Sequence, residues 1–157
     1  VNNTSLYVEH SDLYHFGILQ SIFHMAWLRV VGGRLKNDYR YSANIVYNNF
    51  PWPSNITDKQ KNAIEVAAQA VLDARALYPD NTLADLYDPL LMPANLLKAH
   101  QTLDKAVDAS YSRKKFKNEA ERVAFLFELY EQYIEVEKVE QEERLTKSKK
   151  TKVKTEM

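Results

Sequence analysis

The sequence predicts a mainly α-helical protein: a bundle-like C-terminal helical domain, preceded by a small strand–helix–strand portion. Three observations carry this prediction. Apolar residues recur at three-and-four spacing in several separate stretches, the mark of helices with one buried stripe. Glycine is scarce, 3 in 157 residues, which argues against a turn-rich all-β fold. Strand-forming residues are confined to short runs near the N-terminus, and the apolar share of 45% suits a globular core.

Taken in order, Val1 to Glu9 reads as one strand, centred on Thr4–Val8 and without a nearby partner. An orphan strand behind a non-methionine start suggests a boundary inside a larger protein. Ser11 or Asp12 can then cap a helix running through Val31, with Leu19, Ile22, Phe23, Ala26, Trp27 and Val30 as its stripe. Gly32-Gly33 should end it by reaching the left-handed conformation. Beyond that stop, Arg34, Lys36 and Arg40 bracket Asp38 and interleave with Tyr39 and Tyr41. Ile45, Val46 and Tyr47 predict a strand over Tyr41–Phe50, which Pro51 and Pro53 stop because they cannot donate ladder hydrogen bonds. Pro51–Ser54 reads as a hinge and a domain boundary.

Thr57 with Gln60 forms a capping-box pattern. The helix it opens should run to about Leu77, with Ile64, Ala67, Ala68, Val71 and Leu72 facing inward. Arg75 falls on the same stripe, so an internal ion pair with Asp85 or Asp88 is expected. Tyr78–Asn81 breaks the helix, Thr82–Tyr87 makes a turn or two, and Pro89 and Pro93 punctuate a connector. Pro93 suits the first turn of a helix to about Ser110, whose inner face is Leu96, Leu97, His100, Leu103, Val107 and Tyr111. Asn118-Glu119 opens the last helix, with Val123, Leu126, Phe127, Tyr130 and Ile134 on one side. After Val139 the periodicity fails. The expected units are therefore 1–53, 54–140 and a disordered charged tail over 141–157.

Charge constrains function more than length does. Basic and acidic residues balance at 21 each, whereas free-standing nucleic-acid binders usually carry a basic excess. The distribution is uneven, with positive stretches at Arg29–Arg40, Arg113–Lys117 and Lys147–Lys154, and acids gathered in Glu119–Glu143. A phosphate responds to this local sign, within a Debye length of about 8–10 Å. Cysteine is absent, which removes disulfides and thiolate chemistry and fits a cytoplasmic protein. No apolar run suits a signal peptide or a membrane span, so no membrane partner is expected.

No catalytic or metal site is legible. His10, His15, His24 and His100 show no paired-ligand spacing, and His24 and His100 read as hydrogen-bonded core histidines. Asn49-Phe50-Pro51-Trp52 departs from the Asn-Pro-Pro-aromatic motif with which adenine methyltransferases hold a flipped base, and no glycine-rich turn for a methyl donor exists. No acidic cluster of a nuclease is present either, and Trp52 reads as a packing anchor. The candidate DNA-binding residues are Arg34, Lys36, Tyr39, Arg40, Tyr41 and Ser42. Arginine forks match phosphate and guanine, and tyrosine and serine hydroxyls hydrogen-bond the backbone. The competing reading is a solvated hairpin whose charges keep a sheet edge soluble. For Arg113, Lys114, Lys115 and Lys117 the plainer reading is charge matching at a helix C-terminus plus a solvated loop.

Several stretches in one order resemble a known family: Gly17–Ser21, His24–Trp27, Gly33–Lys36, Asp38–Ser42 and Ile45–Pro53, followed by Val71–Tyr111. They resemble the end of the target-recognition domain and the C-terminal helical domain of MmeI-like type IIG/IIL restriction–modification enzymes, over roughly Tyr14 to Tyr133. Those are large single-chain proteins that join a nuclease, an adenine methyltransferase, a recognition domain and a helical domain. The resemblance implies a non-catalytic DNA-positioning segment, with double-stranded DNA and the upstream methyltransferase and nuclease domains as partners. S-adenosylmethionine and Mg2+ would belong to the parent, and no cofactor to this segment. The rival expectation, from another class, is a helical protein–protein scaffold with the alanine-rich helix as its interface.

Overall fold

The computed structural model describes residues 8–36 and 38–155, with side chains described except at 35, 142, 143 and 145–155. The strand expected at Thr4–Val8 lies outside these residues, Val8 apart. The elements are α1 (Leu13–Gln20), α2 (Ile22–Val31), β1 (Gly33–Leu35), β2 (Asp38–Arg40), a π-helical turn (Ala43–Tyr47), α3 (Asp58–Ala76), α4 (Leu83–Leu86), α5 (Ala94–Tyr111) and α6 (Glu119–Thr155). The mainly helical class is as the sequence predicts, and the described strands pair as one two-stranded antiparallel sheet.

The helix expected from Asp12 to Val31 is broken in two at Ser21, which takes an extended conformation and serves both as C-cap of α1 and as N-cap of α2. The physical reason is local competition. The Ser21 hydroxyl donates to Ile18 O at 2.6 Å and accepts from His24 N–H, an alternative to helical hydrogen bonding. The orphan N–H of Ile22 at the new terminus is taken by Asp104 Oδ1 of α5, at 2.8 Å. Upstream, Asp12 caps α1 in a capping box with His15.

The break lets α1 lie across α3 while α2 leans on α6. Gly17 marks the α1–α3 crossing, where an added Cβ would stand 2.7 Å from Ile64 and 3.3 Å from both Ala68 and Leu103. Glycine is needed there for close approach. The stripe differs slightly from expectation: Ile18 is fully buried, while Val30 is half exposed.

α3 begins as the sequence predicts, with Thr57 and Gln60 in a reciprocal capping box. Gln60 also donates to Ala109 O near the end of α5, and Tyr78 just beyond α3 donates to Asn95 at the start of α5, both at 2.8 Å. The two helices therefore run antiparallel. Ile64, Ala67, Ala68, Val71 and Ala74 from α3 and Leu96, Leu103 and Val107 from α5 join the core. Leu97, expected to face inward, is exposed. Ala67, Ala68 and Ala74 of α3 are thus buried inside the chain, where they let α1 and α5 approach, while Ala63, Ala70 and Ala76 are exposed.

Arg75 is half-buried as its position on the stripe implies, but neither Asp85 nor Asp88 is its partner. Its Nε donates to the Tyr87 hydroxyl at 2.8 Å, and its NH2 group donates to Gln20 Oε1 at 2.8 Å and again to Tyr87. The guanidinium also lies over the Phe16 and Tyr87 rings. Asp85 is instead engaged in capping Thr82 at the start of α4, so neutral acceptors and aromatic faces hold the cation.

The tail also departs from expectation. α6 runs on through Thr155 rather than fraying after Val139. Glutamate and lysine are good helix formers without any packed stripe, and Glu140 with Arg144 makes an i,i+4 ion pair at 3.6 Å.

One core spans both sides of the Pro51–Ser54 segment. Ile18, Phe23, Trp27, Val46 and Phe50 share a single cluster with Ile64, Leu103 and Leu126. The proline segment is pinned by hydroxyls from two helices: Tyr111 donates to Pro51 O and Tyr133 to Trp52 O, each at 2.8 Å. Trp52 is a packing anchor as expected, set among Tyr14, His15, Tyr47 and Phe50.

Candidate nucleic-acid interface

The segment that carries the candidate residues emerges from α2 as a short hairpin. Gly32 ends the helix with φ −70° and ψ 143°, and no glycine among the described residues has positive φ. The expected left-handed glycine stop is therefore replaced by an extended exit. Gly32 is required for space instead, since a Cβ would lie 2.4 Å from Leu28 O. The positive φ falls on Lys36, at 57°, in the connection between β1 and β2, where tight hairpins demand that region.

The register pairs Gly33 with Arg40, Arg34 with Tyr39, and Leu35 with Asp38. Directly opposed residues share a face of an antiparallel ribbon and neighbours along a strand alternate. Arg34 and Tyr39 therefore occupy one face, and Arg40 and Asp38 the other. On the first face the Arg34 guanidinium stacks 4.3 Å from the Tyr39 ring centroid and donates to its hydroxyl at 3.0 Å. This arrangement orders a long cationic side chain that stays exposed. Arg40 and Lys36 are also exposed. Strand alternation thus separates Arg34 from Arg40, so the two arginines do not form one ridge.

Tyr41 and Ser42 lie past the hairpin. The Tyr41 ring edge is exposed, but its hydroxyl turns inward and shares a 2.9 Å hydrogen bond with His24 Nε2 on α2. Burial pushes the Tyr41 phenol up to about 12, with Tyr47 adding to the effect. Burial likewise pushes the His24 imidazole down to about 4, so it is neutral at physiological pH. Its Nδ1 is buried without a partner. Ser42 precedes the π-helical turn, accepting from Val46 N–H through its carbonyl at 2.8 Å, while its side chain makes no capping bond.

The strand expected over Tyr41–Phe50 is absent, and only Asp38–Arg40 continues the sheet. Ala43–Tyr47 coils into a π-helical turn, because burial overrides β-propensity. Val46 is fully buried and its carbonyl accepts from Trp27 Nε1 at 3.0 Å, while Ile45 turns outward. Asn49 then closes the turn by donating to Asn44 O and Ile45 O. The hairpin is thereby braced by α2 from both ends, through its exit at Gly32 and through the His24–Tyr41 and Trp27–Val46 bonds. These braces join residues 17 and 19 apart in sequence, spacings with no local signature.

His100 is hydrogen-bonded as expected, 2.6 Å from the Tyr87 hydroxyl, but it is half-buried and not in the core; its pKa is lowered by burial and then by Arg75. Among the described residues no cluster of His, Asp or Glu side chains could hold a metal ion, and no helix is long and apolar enough to cross a membrane.

The comparisons agree with this architecture. Residues 1–54 match the family model described as the MmeI target recognition domain, and residues 56–137 match that of the MmeI C-terminal domain. DNA methyltransferase A of Bacillus subtilis (strain 168) is 42% identical over 135 residues, covering 86% of this chain and 15% of that protein. A solved structure of the type IIL restriction–modification enzyme MmeI in complex with DNA matches with TM-score 0.74 and 54% identity, over 78% of this chain and 16% of the other. The chain thus spans less than a fifth of the length of either relative. With the two domain models matched one after the other along the sequence, the chain belongs to the MmeI family, with its hairpin in the target recognition domain and α3, α4 and α5 in the C-terminal domain.

Proposed function

We propose that this chain is the DNA-positioning end of a longer restriction–modification protein, and that the hairpin from Gly33 to Arg40 contacts double-stranded DNA. On this reading adenine methylation with S-adenosylmethionine and Mg2+-dependent cleavage belong to other domains of that protein, and this segment supplies no catalytic group. The observation that carries the reading is the hairpin itself: exposed Arg34, Lys36 and Arg40 on a ribbon braced against α2. The relative solved with DNA supports it. A two-stranded ribbon is an element the major groove admits, and arginines on opposite faces would reach opposite walls of such a groove. Tyr39 acts by ordering Arg34. Tyr41 acts from behind, its hydroxyl committed to His24, and Ser42 sets the exit of the strand.

The test uses the full-length protein. Arg34→Ala and Arg40→Ala should each weaken duplex binding, and removal of a phosphate partner should flatten the log–log salt dependence by about 0.9 per phosphate. An arginine that reads a base would instead cost about 1–3 kcal/mol at one base position and relax specificity there. A double variant with unchanged affinity and unchanged salt slope would leave the hairpin as a soluble sheet edge.

A further inference from the structure

The loop from Ser112 to Asn118, between α5 and α6, holds Arg113, Lys114, Lys115 and Lys117, all of them exposed. They line an open groove of ≈ 750 Å³ whose apolar floor includes Phe116 and Phe125. The loop is anchored rather than trailing. Phe116 packs edge-on against Phe23 at 5.0 Å and Phe125 at 5.4 Å, and Lys114 N–H is held by Ser112 Oγ at 3.0 Å. The last turn of α5 itself contains no basic residue, and the cations follow its cap at Ser112.

Neighbouring acids neutralise them only in part. Glu119 pairs with Arg29 of α2 and Asp108 is held by Arg122, while Glu121 accepts the backbone N–H of Lys117 and keeps its own charge beside the loop. Among the described residues none of the loop cations forms an ion pair, and Glu128 is the other acid on the groove wall. Like charges this close repel one another, and a polyanion relieves that repulsion. Three of the cations are lysines, flexible point charges suited to phosphates, and not the planar forks that read base edges.

We infer that this loop is a second DNA contact, which grips the sugar–phosphate backbone without reading sequence. It rests on the reading that the full-length protein binds DNA, and extends that interface from the recognition portion into the helical domain. An acidic protein surface could satisfy the same charges, but the anchored lysine-rich loop in a member of this family favours the nucleic acid.

The experiment compares the full-length protein with its Lys114→Gln/Lys115→Gln/Lys117→Gln variant on a fluorescent duplex of mixed sequence, between about 50 and 200 mM salt. Since every altered side chain is exposed, the melting temperature should not move. The expected result is weaker binding and a salt slope shallower by about 0.9 for each phosphate that is no longer neutralised, and by up to about 2.7 if all three lysines meet phosphates. An unchanged slope overturns the inference, including the case in which the variant loses stability or activity with the slope intact, as an acidic protein partner would predict. The Arg34→Ala/Arg40→Ala variant separates the two readings. If it flattens the slope while the loop variant does not, the loop assignment fails and the hairpin assignment stands. Absence of duplex binding by the unaltered protein overturns both.

Discussion

Arg75 and His24 show how individual residues in this chain are stabilised without the partners their types suggest. Arg75 donates to Tyr87 and Gln20, neutral acceptors. Arg75→Ala therefore strands no buried carboxylate, and the cost should be about 1–3 kcal/mol, below the roughly 3–5 kcal/mol of a broken buried ion pair. Chemical denaturation of the two proteins checks this. A destabilisation in the higher range would point to a carboxylate partner. His24 is kept neutral in the fold, with its pKa lowered from 6.5 to about 4 by burial. Between those values the unfolded chain binds the proton and the folded chain does not, so stability is full above pH 6.5 and declines as pH falls towards 4. His100, also lowered by burial, contributes with the same sign. His24→Gln should remove part of this slope, measured as unfolding free energy against pH. Identical slopes in the two proteins would refute the assignment to His24.

At the scale of elements, the crossing of α1 over α3 depends on Gly17. An alanine there gains up to about 1 kcal/mol of helix propensity. Its methyl, however, would press on Ile64, Ala68 and Leu103 together, all three of them fully buried. Overpacking of a tight core costs about 1–3 kcal/mol, so Gly17→Ala should destabilise on balance. A thermal melt at or above that of the native chain would show that the crossing can open at no cost. The break at Ser21 belongs to the same design, because it directs α1 onto α3 and α2 onto α6, and the hairpin inherits its position from α2.

For the whole molecule, stability is concentrated away from the far end of α6. In α6 the residues packed on the core are Leu126 and, more partially, Phe125 and Tyr130, while Val136 and Val139 are exposed. A chain ending at residue 140 should melt at the same temperature as the 157-residue chain while showing less helical circular dichroism. A lower melting temperature would mean that the far part of α6 packs on the core. The shared core across Pro51–Ser54 has a related consequence. The hairpin and the basic loop are parts of one packed body, since Phe23 of α2 stacks on Tyr111 at 4.1 Å and meets Phe116 edge-on. Arg29–Glu119 adds a second tie between α2 and the start of α6.

Local chemistry was enough to determine the helical class, the capping box at Thr57, the amphipathic helices α3 and α5, and the cationic tyrosine-bearing segment after α2. Each depends on residues within a few positions of one another, and hydrogen-bond geometry and apolar periodicity act at that range. Tertiary structure alone decided the rest. The break that Ser21 makes locally in the first helix is seated by Asp104, distant in sequence, which receives the freed N–H of Ile22. Ile45-Val46-Tyr47 coil because Trp27 and the core claim Val46. Arg75 chooses Tyr87 over the aspartates nearby in sequence, and Arg34 and Arg40 part company because strand register places them on opposite faces. Such choices are settled by which buried polar group finds a partner when the helices close, and that partner is not adjacent in sequence.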